Sequence, residues 1–276
     1  MILYNDLFLK KEEVHISHED RGYYFGDGVY EVFRIYNGQL FEKEKHFQRL
    51  QRSCEQIKLK LPSSVQDIDL KLSQLIQKSF VQEGTLYLQI TRGVAQRSHL
   101  FPKNPIPTLL AYCNEVKRPL DKMKSGIKAI TQEDIRWLRC DIKSLNLLPN
   151  TLAKQNAVEQ NADETIFHRN GIITECSSSN IMIVQDGEIL THPANHLILE
   201  GVTRSVVLKI AAEEGFTIRE KAFDKETLKN ADEVFITGTT VEITPIINID
   251  HHNIANGLPG TVTKKLQQLF EKIVPE

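Results

Sequence analysis

Cysteine is sparse and scattered in this chain. The four that occur, Cys54, Cys113, Cys140 and Cys176, form no Cys-X-X-Cys pair. That distribution fits reduced thiols in a cytosol and argues against a disulfide frame or a zinc site. Long apolar runs are missing too, none approaching the roughly 20 residues of a membrane span. The opening Met1-Ile2-Leu3-Tyr4-Asn5-Asp6 has neither a basic segment nor a long apolar one, so no secretory signal is expected. Charge of one sign is also lacking. The formal net charge is −2, which gives no reason to expect nucleic acid or an anionic membrane as partner. Nine histidines include the pair His251-His252, but none has His-Glu-X-X-His or other ligand spacing, and no metal is expected. The expectation is a cytoplasmic globular protein that handles small molecules.

What is present fits that class. The chain has 276 residues, 41% hydrophobic and 25% charged, enough for two domains or one large one with a sizeable core. Residues 29–41 alternate and contain Asn37-Gly38, a strong hairpin signal. Helical spacing follows at 45–59 and 65–81, then strand-like runs at 85–91 and 108–112. A charged stretch over 114–124, holding Pro119, reads as a connection. The resulting division is an N-terminal domain at 1–115, a linker at 116–125 and a second domain at 126–276. In that second part helices are expected at 151–162, 202–214 and 261–273, with Gly215 as a stop signal. Strands are expected at 164–168, 172–174, 181–184, 188–191, 233–236 and 243–249. Asn170-Gly171 and Asp186-Gly187 turn between strands. No regular βαβ period appears, so the fold class is α+β, two domains with mixed sheets packed by helices.

Two short segments carry chemistry. Cys140-Asp141-Ile142-Lys143-Ser144-Leu145-Asn146 presents a lysine among few other charges. Glu175-Cys176-Ser177-Ser178-Ser179-Asn180 presents a carboxylate followed by small hydroxyls. A desolvated lysine is a nucleophile for carbonyls, and a carboxylate holds a proton on a heterocyclic nitrogen. The pair points to a Schiff-base cofactor that works as an electron sink. Alone, Lys143 reads as a solvated loop lysine, and the serines as a turn. Glu200-Gly201-Val202-Thr203 opens a helix, and Thr237-Gly238-Thr239-Thr240 follows a strand. Both suit a phosphate, although each alone is also an N-cap or a tight turn. Arg49 is a cationic candidate, or simply a surface arginine.

The full set of motifs resembles the fold-type IV, or class IV, aminotransferases, which use pyridoxal 5'-phosphate (PLP). The resemblance covers nearly the whole chain. It runs through Gly26-Asp27-Gly28-Val29-Tyr30-Glu31, His46-Phe47-Gln48-Arg49-Leu50, the stretch 137–146, then 175–180, Gly201-Val202-Thr203-Arg204 and 237–242. Within the family, Arg92-Gly93 followed by Arg97-Ser98-His99-Leu100-Phe101-Pro102 resembles the D-amino-acid branch. The stretch 134–148 is similar to the same branch.

The resemblance implies that Lys143 holds PLP covalently and acts as acid and base, and that Glu175 pairs with the pyridine nitrogen. It implies that Arg49, Val202, Thr203, Gly238 and Thr239 hold the phosphate and that Leu199 packs on one ring face. Arg97, His99 and Tyr30 would bind the substrate carboxylate, an arginine fork being well matched to it. The implied reaction converts D-alanine and 2-oxoglutarate to pyruvate and D-glutamate. Other activities on the same scaffold are a branched-chain L-amino-acid aminotransferase and an aminodeoxychorismate lyase; a PLP-binding protein is the non-enzyme alternative. The family also implies a homodimer with a shared site. Pro149, Asn150 and Met182 depart from the family pattern beside the site.

Overall fold

A computed structural model describes residues 1–275 of the chain, which divide into two compact units. The first is chiefly Met1–Lys117 with Ile142–Asn146; the second is Arg118–Asp141 with Leu147–Val274.

The first unit contains β1 (Ile2–Tyr4), β2 (Leu7–Leu9), α1 (Arg21–Phe25), β3 (Gly28–Tyr36) and β4 (Gln39–Leu40). It continues with α2 (Lys43–Gln56), α3 (Val65–Ser79), β5 (Gly84–Thr91) and β6 (Thr108–Glu115). The strands form one sheet in the order β2-β1-β6-β5-β3-β4, antiparallel throughout. Side chains alternate along a strand. Val29, Phe33 and Ile35 of β3 and Leu86, Leu88 and Ile90 of β5 therefore share one core with Phe47 and Leu50 of α2 and Leu72 and Leu75 of α3. Each large apolar side chain buried there contributes roughly 1.5–3 kcal/mol. The expected β3–β4 hairpin forms. Asn37 and Gly38 have φ of 46° and 70°, the left-handed pair that a type I′ turn demands. Helix α3 begins where Ser64 Oγ accepts the Asp67 N–H at 3.1 Å.

The second unit contains α4 (Leu120–Ser125), β7 (Ile127–Glu133), α5 (Leu148–Glu159), β8 (Glu164–Arg169), β9 (Ile172–Cys176), β10 (Asn180–Gln185) and β11 (Glu188–Thr191). Then come α6 (Val202–Glu213), β12 (Ile218–Glu220), α7 (Lys225–Lys229), β13 (Glu233–Gly238), β14 (Glu242–Ile249), β15 (His252–Asn253) and α8 (Thr261–Glu271). Its nine strands run β12-β11-β10-β13-β14-β7-β8-β9, with β15 beside β14. This sheet is mixed: β11/β12, β14/β7 and β7/β8 pair parallel and the rest antiparallel. Ile127, Ile166, Ile183, Val234, Ile236 and Ile246 lie in its core.

The division between units departs from the expected one in two ways. The stretch 116–125 is not an extended linker. The chain divides after Lys117, and Leu120–Ser125 is helix α4, fixed by the buried Met123. The segment around Lys143 groups with the first unit, not with the rest of 126–276. The reason is backbone pairing. Ser144 forms an antiparallel bridge with Val29. The Tyr30 N–H donates to the Lys143 carbonyl (3.0 Å), and the Leu145 N–H to the Gly28 carbonyl (3.1 Å).

Helix α5 starts at Leu148, three positions before the expected 151. Pro149 is the cause, since its fixed φ and missing N–H suit the first helical turn. The other two departures from the family pattern are also placed. Asn150 Nδ2 donates to the Ser177 carbonyl at 2.8 Å. Met182 is fully buried, opposite Phe235 and Thr191 in the sheet.

Candidate active site

In the first unit, Lys143 is half-buried on its bridged segment. Its backbone N–H donates to Ser53 Oγ at 3.2 Å. Its Nζ lies 4.2 Å from the Tyr30 ring centroid, a cation–π distance. Tyr30 stacks on Tyr87 at 5.8 Å, and Tyr87 on Tyr112 at 5.3 Å. The lysine thus faces a row of aromatic rings instead of bulk water alone.

Behind Tyr30 the same strand buries a carboxylate. Glu31 accepts Arg49 Nε and Nη2, both at 2.8 Å, and pairs with His46 Nδ1 at 2.8 Å. Glu31 is fully buried and Arg49 nearly so. Burial alone would lift the Glu31 carboxyl. The Arg49 guanidinium and His46 outweigh it and hold the group well below the usual carboxylate range. Burial also lowers the His46 pKa, with the Glu31 contact opposing. Arg49 is therefore not a surface arginine; its charge is fixed by Glu31.

Arg97 and His99 stand on the exposed loop after β5. Both lean on Phe25: the Arg97 guanidinium lies 5.3 Å from its centroid and the His99 ring 5.6 Å. Among the described residues, no hydrogen bond or ring contact joins either to Tyr30.

In the second unit, Glu175 is the penultimate residue of β9 and Asn180 opens β10. Glu175 Oε1 accepts Arg136 Nη1 at 2.6 Å. Its Oε2 accepts Asn180 Nδ2 and the Leu199 N–H, both at 3.0 Å. Burial pushes the carboxyl pKa up, against the pull of Arg136 and the Leu199 amide. Three N–H donors aimed at one buried carboxyl suit its ionised form. Arg136 is itself gripped by Asp134, whose Oδ1 accepts Nε at 2.9 Å and whose Oδ2 accepts Nη2 at 2.9 Å. Asp134 also accepts Arg169 Nε at 3.1 Å. Gly201 makes room for this arrangement. A Cβ there would sit 2.1 Å from Asn180 Oδ1, while Asn180 Nδ2 also donates to the Leu199 carbonyl at 2.8 Å.

The expected phosphate residues are also in the second unit. Helix α6 starts after Gly201 with no side-chain cap, so the Val202 and Thr203 N–H groups stand at an uncapped, positive helix end. Thr203 is buried. Gly238 ends β13 and Thr239 follows it. The neighbouring Thr237 Oγ1 is buried without a hydrogen-bond partner, which is costly unless something else meets it. Unmet donors of this kind fit a phosphate, and the Glu175 carboxylate fits a protonated ring nitrogen, so these residues suit PLP. Among the described residues no cluster of His, Cys, Asp and Glu could hold a metal.

Sequence reasoning singled out Lys143, Glu175 and the helix start, but gave no role to Arg136, Asp134, Asn180, Glu31 or His46. Arg136 and Asp134 alternate two positions apart in a stretch already noted. Nothing in that pattern says that they are buried.

The model of the class IV aminotransferase family matches residues 28–249. A D-alanine aminotransferase of Staphylococcus epidermidis is 47% identical over 274 residues, 99% of this chain and 97% of the relative. One of Listeria monocytogenes is 46% identical over 277 residues, 99% of this chain and 96% of the relative. Among solved structures, the branched-chain amino acid aminotransferase of Escherichia coli aligns with a TM-score of 0.94 at 26% identity, covering 99% of this chain and 94% of that one. The T.th. branched-chain enzyme with pyridoxamine 5'-phosphate aligns with a TM-score of 0.90 at 26% identity, covering 99% and 93%. Order of motifs, fold and full-length identity converge, and the chain belongs to the class IV aminotransferases.

Proposed function

We propose that this protein is a PLP-dependent D-amino-acid transaminase that moves the amino group of D-alanine to 2-oxoglutarate, giving pyruvate and D-glutamate. The observation that carries this reading is 45–47% identity, across 99% of the chain, to enzymes named D-alanine aminotransferase. The cofactor reading has the T.th. neighbour with pyridoxamine 5'-phosphate in its support.

When bound, PLP supplies an electron sink for negative charge at the substrate Cα. Lys143 would hold the cofactor, and its Nζ would serve as the base for the Cα proton. The Ser53 tether and the Tyr30 ring limit where that amine can go. Glu175, fixed by Arg136, Asn180 and the Leu199 N–H, keeps a proton on the ring nitrogen. Leu199 would pack on one ring face. Val202, Thr203, Gly238 and Thr239 bind the phosphate, with Arg49 as the cationic contributor. Arg97, His99 and the Tyr30 hydroxyl bind the substrate carboxylate, and that placement selects D over L. The two units serve as an N-terminal domain and a C-terminal cofactor-binding domain, with Lys143 carried on the segment that groups with the first.

The protein acts as a cytoplasmic homodimer in which the Arg97–His99 loop serves the neighbouring copy. Two observations support the dimer. Among the described residues of one chain, Arg97 and His99 make no hydrogen bond or ring contact with Tyr30. The sheet face away from α2 and α3 leaves Ile2, Tyr4, Tyr87, Leu110 and Tyr112 half-exposed, an apolar area of the kind that interfaces cover.

A half-reaction panel tests the function. The visible band of the purified protein should bleach with D-alanine and hardly with L-leucine. The solved neighbours are branched-chain enzymes, and faster bleaching by L-leucine would establish that activity instead.

A further inference from the structure

The loop that carries Arg97 and His99 is held by charge rather than by apolar packing. Arg21 is 3% exposed. Its Nη1 donates to the Ser98 carbonyl at 2.6 Å and to the Leu100 carbonyl at 3.3 Å. These carbonyls belong to the residues on either side of His99. One guanidinium nitrogen therefore fixes the backbone before and after the imidazole. Arg21 Nε donates to Asp27 Oδ2 at 2.8 Å, and the Arg21 N–H donates to the Gly93 carbonyl at 3.0 Å.

Asp27 joins this clasp to a second one. Both of its oxygens accept Arg92 Nε, at 3.0 and 2.9 Å. The remaining Arg92 nitrogens donate to the Lys58 and Ile57 carbonyls at 2.8 and 2.7 Å. The Arg92 guanidinium lies 3.7 Å from the Phe101 centroid. Phe25 completes the arrangement, with Arg21 at 4.7 Å, Arg97 at 5.3 Å and the His99 ring at 5.6 Å. Two buried guanidiniums sharing one carboxylate are expensive to desolvate, and main-chain carbonyls compensate only partly. A loop needing no fixed geometry has little use for them.

We propose that Arg21, Asp27 and Phe25 are positioning residues that hold Arg97 and His99 ready for the substrate carboxylate, and so set substrate affinity without touching substrate or cofactor. This rests on the reading of Arg97 and His99 as the carboxylate site. Their side chains are exposed, and a loop ordered in advance removes the entropy cost of ordering them on binding.

The test is Arg21→Lys, which keeps the charge but cannot bridge Asp27 and two carbonyls. The KM for D-alanine should rise about 5- to 20-fold, less than the full loss of a charge-assisted hydrogen bond because Arg21 acts through the loop, with kcat changed less than about 2-fold. D-alaninamide, which lacks the carboxylate, should show no such rise. Amide exchange at Leu100, whose N–H donates to Ser98 Oγ at 3.3 Å, should quicken at least about 10-fold, with and without cofactor. In the Arg97→Ala background, Arg21→Lys should add little. Phe25→Leu, which removes the ring and leaves the clasp, should reproduce the KM effect if Arg21→Lys fails to fold. Unchanged KM and exchange in Arg21→Lys, beside a raised KM in Arg97→Ala, would overturn the positioning role alone. An equal penalty with D-alaninamide would overturn it too, because that marks general damage. Wild-type KM in Arg97→Ala would remove the carboxylate site itself, and this inference with it.

Discussion

Arg136 Nη1 donates to Glu175 Oε1 across 2.6 Å, and both groups are buried. Asp134 holds the rest of that guanidinium, so the charge facing Glu175 is itself fixed in place. Removing one member of a buried pair leaves its partner charged and unpaired. Arg136→Leu should therefore lose about 3–5 kcal/mol of stability in urea titration. Adding Glu175→Gln should return part of that loss, because the stranded charge is gone. Simple additivity of the two changes would count against the coupling.

The Glu175→Gln change also bears on the proposed chemistry. It removes the negative charge that favours a protonated ring nitrogen. Transamination should fall by about 10- to 1000-fold, or roughly 1.4–4 kcal/mol of barrier. A folded variant with undiminished turnover would refute the role given to Glu175.

Lys143 is tested by mapping. Borohydride reduction followed by peptide analysis should fix the cofactor on Lys143, and Lys143→Ala should lose the covalent link. A label on any other lysine defeats the assignment.

The carboxylate site predicts a different pattern. Arg97→Ala should lower kcat/KM for D-alanine by roughly 10- to 100-fold and leave cofactor content near wild type. Wild-type kcat/KM in that variant would contradict the assignment.

Glu31 gives a pH prediction. Its folded pKa lies below its ordinary 4.5. A depressed carboxyl adds stability that is complete above the unfolded value and is lost as pH falls toward the folded one. The stability gap between wild type and Glu31→Gln should be largest near neutrality and shrink below about pH 4.5. Denaturant titrations at several pH values measure it, and a gap that widens in acid would be the wrong sign.

Much of this protein is written in local sequence. The Asn37-Gly38 hairpin, the helix starts at Ser64 and Gly201, and the order of the motifs depend on turn chemistry and periodicity that act over a few residues. Local signals single out Lys143, Glu175, Thr203 and Gly238 one at a time, and only the resemblance to the family joins them as a set. Arg97 is singled out by the resemblance of its loop to the D-amino-acid branch, and not by residue type.

Only the tertiary structure decided how these groups are supported. Pairing of Ser144 with Val29 moved the Lys143 segment out of the domain that its sequence position implied. Arg136 meets Glu175 from 39 positions away, and Arg21 meets Ser98 from 77. Such contacts depend on which strands pair and which loops return, and no short-range pattern encodes them. Burial decided the rest. Arg49, Arg21 and Arg136 read like any surface arginine in the sequence. Each becomes a fixed charge because folding removes its water and leaves a carboxylate as partner.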